Sequence, residues 1–175
     1  DSAPTAVQYG LIGVNGVSGA SAVALLGNVI DGKAGVDVDT VSEVQALANL
    51  VAAVMNGAAR TANQPSLADL QALGITGVNS TNLAAVQAAI AATANDGSDV
   101  DSLAKLQSVV NSGVNSGNAL AVISGAADAN NATGSASSGR PNLSDYATAG
   151  VTGVTSGNLP AINSALNTAG IDASK

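Results

Sequence analysis

One pattern, written three times, constrains this chain more than anything else. The segments Pro4–Val17, Pro65–Val78 and Pro141–Val154 align without gaps. Each opens on proline and closes on glycine, an aliphatic residue, Asn or Thr, glycine and valine. A chain that repeats its punctuation repeats its structure, so the expected architecture is a row of similar modules. The prolines stand about 61 and about 76 residues apart, which places an insertion in the second unit.

The pattern spells a short helix with marked ends. Thr5, Ser66 and Asn142 follow the prolines, and Gln8, Asp69 and Asp145 stand three residues later. That is the spacing of a capping box, in which two side chains satisfy free backbone amides reciprocally. Residues at a spacing of three then lay out one apolar face: Ala6, Tyr9, Ile12; Leu67, Leu70, Leu73; Leu143, Tyr146, Ala149. Gly13, Gly74 and Gly150 fall where a left-handed residue ends a helix, and Val14, Ile75 and Val151 suit the apolar contact of that ending.

Two more helices follow in the repeat. Leu83, Val86, Ile90 and Leu159, Ile162, Leu166 give matching stripes for a second helix, with Ala22, Leu25 and Val29 in the first unit. Pro160 suits a first helical turn. A third helix opens with Asp-Val-Asp at Asp37 and Asp99, running on to Gln45 and Gln107. Its stripes are Val41, Val44, Leu47 or Ala48, and Val51 in one copy, and Leu103, Leu106 and Val110 in the other. Thr40 and Glu43 make another capping box, whereas Ser102 faces Lys105 and its box is incomplete.

The expected fold is therefore all-α: tandem small three-helix bundles, the third incomplete. Unit 1 spans 4–64, unit 2 spans 65–140 and a two-helix unit 3 spans 141–175. Within unit 2, residues 112–139 form the insertion, with a short extra helix around Leu120 and Ile123 and a loop from Asn130 to Gly139. With its third helix due near Lys175, unit 3 leaves Leu159, Ile162 and Leu166 partly uncovered. Those three residues are the expected self-association face, covered by the inserted helix, by further chain or by a neighbouring copy.

Composition narrows the chemistry. The chain has no His, Cys, Phe or Trp, so His-based triads, thiol nucleophiles, the usual zinc sites and disulfides are excluded. Five basic residues in 175, with a net charge of −7, argue against nucleic-acid partners. No run approaches the roughly 20 apolar residues of a membrane span. The opening Asp1 reads as the start of a processed or excised piece. Asp31, Asp37, Asp39 and Asp96, Asp99, Asp101 supply oxygens of the type that bind calcium, but without the spacing of an EF-hand, and helix capping accounts for them. The Gly-x-x-Gly stretches follow helices rather than strands and lack the lysine of a phosphate loop. No catalytic, cofactor-binding or metal-binding residue is expected, and no cofactor.

The pattern Leu-x-x-Leu-x-x-Leu-Gly-Ile-Thr-Gly-Val from Leu67, followed by the Asn82 and Asp99 helices, resembles helical repeats of very large secreted bacterial surface proteins. The opening Asp1-Ser-Ala-Pro-Thr resembles the link between immunoglobulin-like modules of such proteins. The resemblance implies an extracellular or cell-surface adhesin or biofilm-matrix segment, non-catalytic, with neighbouring copies, adjacent domains, or a host or matrix protein as partners. The order of a short helix and two longer ones is also similar to the albumin-binding module of Gram-positive surface proteins, which binds through its second and third helices. That family often carries an aromatic near the end of its first helix; Tyr9 and Tyr146 fall inside it and Leu70 replaces them in unit 2, so no binding residue is carried over.

Overall fold

The computed structural model describes residues 4–61, 63–128 and 140–166. The protein is all-α: eight α-helices and no strand among the described residues. They are α1 (Ala6–Leu11), α2 (Ala20–Asp31), α3 (Val41–Ala58), α4 (Leu67–Ala72), α5 (Leu83–Ala91), α6 (Leu103–Asp128), α7 (Leu143–Thr148) and α8 (Leu159–Leu166), with a 3₁₀ turn at Gly35–Asp37.

The repeated short helix forms in all three places for the reasons its sequence states. Thr5, Ser66 and Asn142 each close a complete capping box with Gln8, Asp69 and Asp145. Thr40 and Glu43 close a fourth on α3. At the far end Gly13, Gly74 and Gly150 take φ of 92°, 83° and 82°, a region that a Cβ disfavours. The amide of the next residue then turns back: Val14 donates to Tyr9 O, Ile75 to Leu70 O and Val151 to Tyr146 O, at 3.0, 3.0 and 2.8 Å. This is the six-to-one bond of a Schellman ending.

The chain divides into two compact units, Asp1–Gly113 and Val114–Lys175. The expected boundary at 64/65 runs through the middle of the first, and that at 140/141 through the second. The physical reason lies in α3, which packs on α2 of its own repeat and also on α4 and α5 of the next. A Cβ at Gly57 would stand 3.0 Å from Pro65 Cδ and 3.1 Å from Ile90 Cγ2, so the absence of a side chain lets α3 close onto the second repeat. A single Ala- and Val-based repeat buries little apolar area, and sharing a helix between neighbours removes more surface from water. The core of this unit includes Leu25, Leu26, Val51, Val54, Leu70, Val86, Ile90, Leu106 and Val110, all essentially inaccessible to solvent.

The inserted helix also differs from expectation. No break occurs near 112; α6 continues to Asp128, and Leu120 and Ile123 lie on that same helix. Leu120 is largely exposed and Ile123 half-buried, so they do not form an independent packing stripe. The loop expected from Asn130 to Gly139 lies outside the described residues. Two stripe assignments also shift. Val41 is exposed, and Ala48 rather than Leu47 is the buried choice on α3. Ile12 is 54% exposed where its counterpart Leu73 is 3%, because α4 has α3 packed on it.

Candidate functional site

A recurring set of polar side chains grips the turn that follows each short helix. In the first repeat the Asn15 amide donates to Gln45 Oε1 at 2.7 Å, and Gln45 Nε2 donates to Asn15 O at 3.0 Å. In the second, the Thr76 amide donates to Gln107 Oε1 at 3.0 Å, and Gln107 Nε2 donates to Thr76 O at 3.2 Å. Each glutamine is held in turn by an asparagine one turn on, Asn49 Oδ1 at 2.9 Å and Asn111 Oδ1 at 2.8 Å. A carboxamide offers, without carrying charge, one donor and one acceptor in the spacing of a peptide edge. These two glutamines therefore clamp the third helix of each repeat onto the end of the first.

A second clamp starts the second helix. The Asn79 amide donates to Asn82 Oδ1 at 2.9 Å, and Asn82 Nδ2 donates to Gly77 O at 3.0 Å. In the third repeat the Thr155 amide donates to Asn158 Oδ1 at 2.7 Å, and Asn158 Nδ2 donates to Gly153 O at 2.9 Å. A third contact ties the second helix back to the proline: Gln87 Nε2 donates to Pro65 O at 2.9 Å, and Asn163 Nδ2 donates to Pro141 O at 2.8 Å. The sequence already placed Gln45 and Gln107 at one register, and an identical amide beside an apolar stripe was the signal for the clamp.

The acidic residues that open the third helix of the second repeat are occupied structurally. Asp96 Oδ1 accepts from the Ser98 amide and Asp99 Oδ2 from the Ala94 amide, while Asp101 pairs with Lys105 at 2.9 Å. The Ser98 amide holds the Asp96 carboxyl below the ordinary value, and the Thr40 hydroxyl and amide do the same for Glu43. Among the described residues, no group of three or more acidic side chains is placed to hold a metal ion. A groove of about 560 Å³ along α5 and α6 is lined by Asp99, Lys105, Ser108 and small apolar residues, and its one cation is the lysine already paired. No helix among the described residues is long and apolar enough to cross a membrane.

The expected self-association residues Leu159, Ile162 and Leu166 all lie on α8, and all are half-buried. On α5 the counterpart of Leu159, Leu83, is half-buried as well, whereas Val86 and Ile90, the counterparts of Ile162 and Leu166, are fully buried. The difference extends to the turn: Val14 and Ile75 are 2% and 5% exposed, whereas Val151 is 43% exposed. Tyr9 and Tyr146 are buried and do not line a surface.

No protein-family model, curated protein or solved structure matches the chain.

Proposed function

We propose that this chain is a non-catalytic structural or adhesive repeat segment of an extracellular bacterial surface, filament or matrix protein. The observation that carries the reading is the recurrence of the amide clamps. Gln45 and Gln107, Asn82 and Asn158, Gln87 and Asn163 do the same work in successive repeats, binding backbone to backbone. These amides are committed to chain geometry and are not free to hold a ligand. The surface resemblance of the helical pattern supplies the location. Antibodies raised against the chain should label intact cells of the source organism, and external protease should remove the label. Labelling seen only after lysis would overturn the location, and turnover abolished by changing one acidic residue would overturn the non-catalytic role.

A further inference from the structure

The third repeat presents a receptor already folded. Gly150 and Gly153 both have φ of 82°, matching Gly74 and Gly77 at 83° and 84°, so the turn around Thr152 has the shape it takes around Thr76. Thr76 offers its amide and carbonyl to Gln107. Among the described residues, the Thr152 amide and carbonyl have no hydrogen-bond partner. Val151, next to Thr152 in the chain, is exposed, and Ile162 and Leu166 are half-covered where Val86 and Ile90 are fully buried.

We infer that this face is the docking site for one further amphipathic helix of the α3 and α6 pattern, whose glutamine clamps Thr152. The ligand's chemistry is read from the two helices that fill the equivalent place. Each has a Ser or Thr cap, an aliphatic residue at its first and fourth positions, Gln at the fifth and Asn at the ninth: Val41, Val44, Gln45, Asn49, and Leu103, Leu106, Gln107, Asn111. The occupant is not α3 or α6 of a second copy, because there Gln45 and Gln107 are already spent on Asn15 and Thr76. It is a helix of this pattern that has no turn of its own. The inference rests on repeat geometry and is independent of where the protein resides.

The test supplies the helix covalently. The segment Ser98–Gly113 is fused through a flexible Gly/Ser linker after Lys175 of the full chain, and backbone amide exchange is followed by NMR. The Thr152 amide is expected to exchange at least about tenfold more slowly in the extended chain, as a newly bonded amide does. Replacing the appended copy's glutamine by alanine should return Thr152 to the exchange rate of the unextended chain. Unchanged Thr152 exchange in the extended chain would overturn the inference. So would equal protection from the alanine version, since a merely apolar cover needs no carboxamide. Thr152 protection that rises with concentration in the unextended chain would overturn it in favour of a second copy.

Discussion

The second and third repeats carry the same turn in two different settings. Around Thr76 the turn is clamped by Gln107, and Ile75, Val86 and Ile90 are buried. Around Thr152 no such clamp stands among the described residues, Val151 is exposed and Asn158 lies at the surface where Asn82 is 1% exposed. Yet the glycine angles, the Schellman bond and the Asn158 contact to Gly153 are the same as in the second repeat. The turn is thus set by local residues, and the clamp adds cohesion between helices without shaping what it grips. The molecule separates what a repeat is from what joins it to its neighbour.

That separation is sharpest in the cores of α5 and α8. Ile90→Ala is expected to lower the unfolding free energy by about 3–4 kcal/mol, the cost of a cavity in closed packing. Leu166→Ala, at the equivalent but half-covered site, should cost under about 1.5 kcal/mol. Urea denaturation compares the two, and equal costs would mean that the third repeat is as closed as the second. Gly113→Ala comes next. Its Cβ would stand 2.6 Å from Val86 Cα and 2.9 Å from Ala85 O, backbone atoms that yield only if α5 and α6 part. A loss of about 2–3 kcal/mol is expected. On the same helix, Gly125 has nothing within 4 Å of its Cβ position, and Gly125→Ala should stabilise by about 0.5–1 kcal/mol. Gln107→Ala frees two backbone groups that water reaches in part, so about 1 kcal/mol should go, with the Thr76 amide exchanging as fast as Thr152.

How far the sequence carried the reading follows the same division. All three short helices, their caps and their glycine endings were legible, because each depends on residues within a few positions of one another. The grouping of repeats was not legible. It turns on Gly57 meeting Pro65 and Ile90, a contact across repeats that no periodicity records. The unbroken course of α6 was also hidden, since the Ser- and Gly-rich stretch from Asn111 to Gly117 has the composition of a linker. Pairing of the amides was half-visible: Gln45 and Gln107 stood at matching positions, but nothing in one chain says that a glutamine near a stripe grips backbone rather than water.

A further contrast opposes the two tyrosines, which hold one position in the first and third repeats. Tyr146 donates its hydroxyl to Asn163 Oδ1 at 2.7 Å, and Asn163 lies 22 residues past the repeat's proline. The residue at that place in the first repeat is Leu26, and the buried Tyr9 hydroxyl has no partner. An unpaired buried hydroxyl costs what a paired one does not. Tyr146→Phe should therefore destabilise by about 1 kcal/mol, whereas Tyr9→Phe should be neutral or stabilise by up to about 1 kcal/mol. Burial, and then the negative charge of Asp31 or Asp145, raises both phenols above their ordinary value. A raised folded value means the contribution to stability is whole below the unfolded phenol's pKa of about 10 and is lost as pH climbs through the folded value. Each Phe variant should accordingly soften the alkaline loss of stability seen in denaturation curves above pH ~10. At neutral pH Tyr146→Phe should lose stability and Tyr9→Phe should not. Matching losses there would show that Tyr9 has found a partner and that the first repeat is wired like the third.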